Sequence, residues 1–452
     1  MNDYRKINYE VMCDTVHQYE NVSALKNAVY ESVKRQYMVA QEDIIDVALV
    51  EHSDTKYVVS GKRSFEAAKG YKGKKVAVLN FANNHSVGGA PFSAGAQEES
   101  LCRCSTLYPC LQAMQPMFYD KHIRQFDDKE IDYMGNDDLI YTPDVVVFKT
   151  DERTTPILPE MMPQNEWYKV GVITSAAPEL WHGNRMPADY ERRISQRIKR
   201  ILDVAAKEGT EVLILGKWGC GAFKNPSDVV AKTFMALLKN YNFETVEFAL
   251  ATNGDIRNDE FARHLGIDTT KERIVSLLRS TGRENIETVI AHLEKEGFFE
   301  KPASVVNHNN FAGGLAKHSL EVYEESMKLN EEYKLPVNSI TLCSLLHDVC
   351  KMDQYTISDE GRIESVEEKL RKRHGRRSMY ILKRKCQLPL NYDEEMAIWW
   401  HMGEHEESKE WCQKEYNDSK TISLCTLIQK ADGIAAEKAM KYKVTNNTNR
   451  ER

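Results

Sequence analysis

The chain has 452 residues, 42% hydrophobic and 29% charged, with a formal net charge of -7 at pH 7. It exceeds the size at which one core keeps growing, so two domains are expected. The charge lacks the basic excess of a protein that lives on duplex nucleic acid, and no stretch approaches the ~20 apolar residues of a membrane span, so a soluble, cytoplasmic protein without a membrane partner is expected.

The opening MNDYRKINYEVMCDTVHQYE has no apolar leader core. Up to about residue 262, short apolar strands (KKVAVLNFA, DLIYTPDVVVF, YKVGVITSA, TEVLILG, TVEFALAT) alternate with helical stretches at 188–207 and 226–239. That alternation predicts an α/β domain whose sheet is covered on both faces. The polar piece ATNGDIRNDEFARHLGIDTTKE reads as a connector, and beyond it helical periodicity takes over, predicting an all-α second half. The expected division is 1–265, 266–442 and a frayed tail 443–452. Ten cysteines without regular spacing read as reduced thiols.

The stretch VLNFANNHSVGGAPFSAGAQEES, residues 78–100, carries a strand into a loop of Gly, Ala and Ser and ends on adjacent carboxylates. Glycine at a strand end lets backbone N–H groups approach a ligand, and a helix N-terminus behind it favours anions, so phosphate is the natural guest; a plain structural turn is the alternative. The amides of Asn80, Asn83 and Asn84 suit sugar hydroxyls. Adjacent helical residues lie about 100° apart, which predicts that Glu98 and Glu99 do not both aim straight into one pocket: one reacts and the other orients. The bland alternative is that Gln97-Glu98-Glu99 only opens a helix and complements its dipole.

These residues resemble the microbial-type poly(ADP-ribose) glycohydrolases of the macrodomain superfamily. Gly88-Gly89-Ala90 stands where that family has three glycines, and Gln97-Glu98-Glu99 follows after Pro91 to Ala96. SLCRCSTLYPCL (100–111) and a second glycine loop in LILGKWGCGAFKNPSDVVAKTF (213–234) are similar too. The resemblance covers about residues 1–260. It implies a macrodomain-like fold with a mixed sheet flanked by helices, and no cofactor there. It implies Glu99 as general acid/base at an ADP-ribose anomeric linkage, with Glu98, Gln97 and Asn83 beside the ribose. Gly88, Gly89, Ala90, Gly219, Cys220, Gly221, Ala222 and Phe223 would surround the diphosphate and sugar. Ala90 replaces the third glycine, a position where a required positive φ would strain alanine.

Seven of the thirteen histidines lie beyond residue 290. GGLAKHSLEVYEES carries His318, SLLHDVCK carries His347 and Asp348, RKRHGRR carries His374, AIWWHMGEHE carries His401 and LIQKADGIAAEK carries Asp432. A lone histidine on an apolar face is ordinarily a satisfied core residue, but buried His-Asp pairs in Leu- and Ile-rich helices are costly unless a charge sits between them, and a divalent metal fills that role. The basic run of Arg371, Lys372, Arg373, Arg376 and Arg377 either meets phosphates or forms a solvated face.

This pattern resembles the HD superfamily of metal-dependent phosphohydrolases over about residues 300–440. The resemblance implies a helical bundle in which His318, His347, Asp348 and Asp432 hold a first divalent metal (Mn, Fe, Zn, Co or Mg). His374 and His401 match the extra histidines of two-metal members, and Lys351 is the favoured phosphate contact. Together the two resemblances imply a bifunctional hydrolase: an ADP-ribose glycohydrolase joined to a phosphohydrolase acting on a nucleotide or short nucleic acid. The alternative is an ADP-ribose-binding macrodomain that recruits or regulates an HD hydrolase.

Overall fold

The computed structural model of the protein describes residues 4–151, 159–180, 186–252, 256, 259–305, 309–358, 362–366 and 373–448. The chain divides into two compact units, Met1–Ile267 and Asp268–Arg452.

The first unit is built on a mixed seven-stranded sheet. Its strands are β1 (Tyr37–Val39), β2 (Lys56–Ser60), β3 (Val76–Ala82), β4 (Leu139–Val147), β5 (Tyr168–Ala176), β6 (Val212–Leu215) and β7 (Thr245–Ala249), in the order β1-β4-β5-β3-β6-β7-β2. β5, β3, β6, β7 and β2 are parallel neighbours; β4 runs antiparallel to β5, and β1 to β4. The run VAVLNFA of β3 is apolar at successive positions because both faces are covered: Val76 and Val78 enter one core, Ala77 and Leu79 the other. The helix Tyr190–Lys207 packs Ile194, Ile198 and Ile201 into the second core, and the helix Gln97–Cys104 packs Leu101 and Cys104 into the first. Each such aliphatic side chain, fully buried, contributes roughly 1.5–3 kcal/mol. β1 and β2, the two edges, are short and were not among the strands expected.

β3 and β6 are adjacent and parallel, so the loops that follow them leave the same edge of the sheet. The loop after β3 ends at the helix Gln97–Cys104, and that after β6 at the helix Ser227–Leu238. A crevice outside the carboxyl ends of parallel strands is where such sheets hold ligands.

The second unit is mainly helical. The helix Val337–Leu346 is buried from Ser339 to Leu346, which explains its apolar character on every side, and the helix Gly314–Tyr333 packs along Ser423–Thr448. The all-α expectation needs one correction: β8 (Tyr355–Ile357) and β9 (Ile363–Ser365) form an antiparallel ribbon. Where a frayed tail was expected, the last helix continues to Thr448. No described helix is long and apolar enough to cross a membrane.

Candidate functional sites

A cavity of about 780 Å³ opens where the loops after β3 and β6 meet, a size ordinary for a small-molecule site. Asn83, Gly89, Ala90, Gln97, Glu98 and Glu99 line it on one side and Gly219, Cys220, Gly221, Ala222 and Phe223 on the other. Gly88 does not line it. At φ 65°, it turns the chain against the core, where a Cβ would lie 3.0 Å from Cys102 Sγ and the Tyr108 ring. Gly89, at φ 69°, faces the carboxylates, and a Cβ there would overlap Glu99 Oε1. Ala90 is not among the residues with positive φ, so alanine at the third position carries no left-handed strain.

The helix starting at Gln97 is registered to the sheet by that side chain. Gln97 Oε1 accepts from Phe81 N at 2.9 Å, and its Nε2 donates to Leu79 O at 2.8 Å and Ser64 Oγ at 3.0 Å. Gln97 thereby acts as an anchor. Glu98 is buried and held at both oxygens, by Asn80 Nδ2 at 3.0 Å and the Asn83 backbone N–H at 2.8 Å. Burial pushes its carboxyl up to about 8, against the pull of those two donors. Asn83 commits its own Oδ1 to the N–H groups of His85 and Ser86. Glu99 Oε1 accepts from Ala90 N at 3.1 Å, while Oε2 is buried without a hydrogen-bond partner.

Both glutamates line the cavity. Their difference lies in satisfaction: Glu98 is tied down at both oxygens and Glu99 at one. Arg63 and Lys217 are among the cavity residues that escaped the sequence reading. Arg63 pairs with buried Asp151 (2.7 Å) and donates to Ser100 Oγ; Lys217 pairs with Asp259 at 2.8 Å. Lys217 sits in the second glycine loop, so proximity to that motif was an available signal; Arg63 had none. Ser227 also lines the cavity, so the positive end of its helix borders it.

The second unit gathers side chains from several elements. His318 lies in the helix Gly314–Tyr333, His347 and Asp348 follow the helix Val337–Leu346, and His374 opens the helix His374–Tyr380. His401 follows the helix Tyr392–Trp399, and Asp432 lies in the helix Ser423–Thr448. His318 Nε2 is 3.0 Å from Asp432 Oδ1 and 3.8 Å from Asp348 Oδ2; His347 Nε2 is 3.3 Å from Asp348 Oδ2, and His401 Nε2 is 3.4 Å from Asp348 Oδ1. Two groupings follow, His318 with His347 and Asp432, and His347 with Asp348 and His401, each with candidate ligand atoms within 4.8 Å of one another.

The donor set fits a divalent metal. His347 Nδ1 is 2.8 Å from Ser344 O and His401 Nδ1 is 2.8 Å from Ile398 O. A carbonyl only accepts, so Nδ1 carries the proton in each neutral ring and Nε2 presents its lone pair. Both Nε2 atoms and Asp348 Oδ1 are buried without a hydrogen-bond partner. Lone pairs facing a carboxylate at these distances repel unless a proton or cation lies between them. Burial alone would raise the Asp348 carboxyl, but Lys351, whose Nζ lies 2.6 Å from Oδ2, and His347 hold it well below the usual range. For Asp432, burial is likewise overcome by His318.

His374 lies beside Cys350 and Gln354, its candidate ligand atom within 4.8 Å of those of Cys350 and Asp348, and burial lowers its pKa. In the basic run, Arg377 pairs with Asp353 at 2.8 Å and Arg376 lies over the Trp399 ring; Arg371 and Lys372 lie outside the described residues.

Comparison with known proteins reports on both units. The family model for the microbial-type PARG (poly(ADP-ribose) glycohydrolase) catalytic domain matches residues 11–150, and that for the HD domain matches residues 315–437. Among solved structures, the Thermomonospora curvata poly(ADP-ribose) glycohydrolase bound to the inhibitor ADP-HPD is 29% identical, over 57% of this chain and 96% of its own, with a TM-score of 0.47. The Deinococcus radiodurans poly(ADP-ribose) glycohydrolase in complex with ADP-ribose is 29% identical, over 53% of this chain and 94% of its own, with a TM-score of 0.44. No curated protein matches the chain. By these two matches the chain joins two regions similar to hydrolase domains, a microbial-type PARG catalytic domain and an HD domain.

Proposed function

We propose that the first unit hydrolyses the O-glycosidic ribose linkage of an ADP-ribosylated substrate, with Glu99 as general acid and then base. The observation that carries this reading is the asymmetry of the paired acids: Glu98 is held at both oxygens, whereas Glu99 Oε2 has no partner. Breaking the bond passes through an oxocarbenium-like state, so a proton is given to the leaving oxygen while water attacks. Glu99 Oε2 is the oxygen available to give that proton and then take one from water, while the Ala90 N–H holds Oε1 in place. Gly89 admits the ribose close to the carboxylate, and the loop from Gly219 to Phe223 with the helix end at Ser227 suits the diphosphate. Release of ADP-ribose by the full chain, compared with Glu99→Gln, tests this: release collapses in the variant while ADP-ribose still binds. Binding without turnover in both proteins would instead support the ADP-ribose-binding module.

For the second unit the proposed activity is phosphoester hydrolysis on a nucleotide or short nucleic acid. His318, His347, Asp348 and Asp432 would hold a divalent cation, with His401 adjoining; when bound, such an ion supplies water activation and neutralises phosphoryl charge. Lys351 keeps Asp348 ionised as a ligand and brings an ammonium group to where a phosphate oxygen would lie. A product screen with metals added, on cyclic nucleotides, ADP-ribose 1″-phosphate and short RNA, tests this activity, with Asp348→Ala as the inactive control.

A further inference from the structure

His122 and Asp138 form a buried pair in the first unit, outside the cavity. His122 is 1% exposed in the helix Tyr119–Asp127, and the Phe118 ring packs edge-on against it at 4.4 Å. Its Nε2 lies 3.1 Å from Asp138 Oδ2 and its Nδ1 3.3 Å from the Asn84 carbonyl oxygen. Asp138 accepts at both oxygens: Lys121 Nζ at 2.8 Å and Asn136 Nδ2 at 3.2 Å share Oδ2, and the Gln41 N–H reaches Oδ1 at 2.7 Å. Burial alone would raise this carboxyl, but the hydrogen bonds from His122 and Lys121 bring it down to about 2. A carbonyl and an ionised carboxylate only accept, so either neutral tautomer of the ring would set a lone pair against an oxygen. The geometry is that of an imidazolium donating from both nitrogens.

The donor at Nδ1 leads to the paired acids. Asn84 O and the His85 N–H belong to one peptide unit, and that N–H donates to Asn83 Oδ1 at 2.8 Å. The peptide is held at both ends, and a donor on its carbonyl polarises it and strengthens the bond that its N–H makes. Asn83 in turn donates its own backbone N–H to Glu98 Oε2 at 2.8 Å. Four hydrogen bonds in succession therefore join Asp138 to Glu98. They cross a loop, residues 83–90, that is neither helix nor strand and has no ladder of its own to fix it.

We infer that His122, as an imidazolium paired with Asp138, is a positioning residue for the first unit's site: it fixes the Asn84–His85 peptide and, through Asn83, the carboxyl of Glu98 beside Glu99. The inference rests on the proposed role of Glu99. His122 itself meets neither substrate nor reacting atoms.

The test uses the full chain at neutral pH, with isotope-labelled histidine ring nitrogens and the His122 signals identified by their loss in His122→Gln. Nuclear magnetic resonance of the wild type is expected to show both nitrogens of this ring protonated, and Asp138→Asn should leave only one protonated. In both variants the kcat of ADP-ribose release should fall about 10–10²-fold, while KM and the calorimetric affinity for ADP-ribose stay close to wild type, which also reports that the fold survives. A merely structural pair would instead lose affinity and turnover together. A neutral His122 ring in the wild type, wild-type kcat in either variant, or joint loss of affinity and turnover in both overturns this inference and leaves the Glu99 reading standing. No release by the wild type overturns both.

Discussion

Glu99 Oε1 accepts a hydrogen bond from the Ala90 N–H at 3.1 Å, so the catalytic candidate is fastened by the backbone of the loop that lines the cavity. The other oxygen has no partner. Replacing Glu99 by Gln removes the proton-transfer group and keeps its shape. Turnover of an ADP-ribosylated substrate is expected to fall about 10²–10⁴-fold, with ADP-ribose affinity by calorimetry nearly unchanged. A variant that turns over at the wild-type rate would rule Glu99 out.

Gly89 and Ala90 make a contrasting pair. Gly89→Ala puts a methyl against Glu99 Oε1 on a residue at φ 69°, with a backbone cost of roughly 1–3 kcal/mol. Thermal denaturation should show lower stability, and displacement of Glu99 should cost about 10²-fold in rate. Ala90→Gly, which relieves no left-handed strain, should leave the rate close to that of the wild type. Equal behaviour of the two variants would contradict this account of the loop.

Glu98 makes stability depend on pH. Its folded-state pKa of about 8 stands above the ordinary 4.5, so between those values the folded chain keeps a proton that the unfolded chain has released. Rising pH therefore erodes stability across that window, and the loss is complete once pH passes the folded value. The shift corresponds to at most about 5 kcal/mol. Glu98→Gln should remove this slope, and urea unfolding of both proteins from about pH 5 to about pH 8 should give curves that diverge toward the alkaline end. Parallel curves would mean that Glu98 is ionised in the folded protein.

The two proposed activities should separate under chelation. EDTA treatment is expected to abolish phosphoester hydrolysis and spare glycohydrolysis, since Glu99 as general acid and base needs no cation. Asp348→Ala should reproduce the first effect and Glu99→Gln the converse. Loss of both activities on chelation would show that the glycohydrolase site is cation-dependent.

Legibility in the sequence followed the range of the interactions. YKVGVITSA coincides with β5 residue for residue because a strand covered on both faces, here buried at every position but Lys169, reads as a near-continuous apolar run. β1 and the β8–β9 ribbon, whose strands have three residues each, are too short for any periodicity to register. The glycine loop and paired acids were legible because their chemistry is contiguous. Which acid would be left with an unpartnered oxygen was not, since it depends on Asn80, Asn83 and Ala90, brought in by the strand and its loop. His318, His347 and Asp432 could be named from their helices, but their Nε2 and carboxylate contacts arise only from packing. Arg63 was invisible because its partner Asp151 is distant in sequence.

The Gln97 side chain, bonded to the Phe81 amide and the Leu79 carbonyl, mimics one rung of a β-ladder from within a helix. It couples the first turn of that helix to the central strand of the sheet. Hydrogen exchange at the Phe81 amide should then proceed through cooperative opening of the sheet rather than local breathing of the loop. Thermal displacement of the neighbouring glutamates would accordingly follow the slow, small-amplitude motion of the sheet, even while the glycine segment moves more freely.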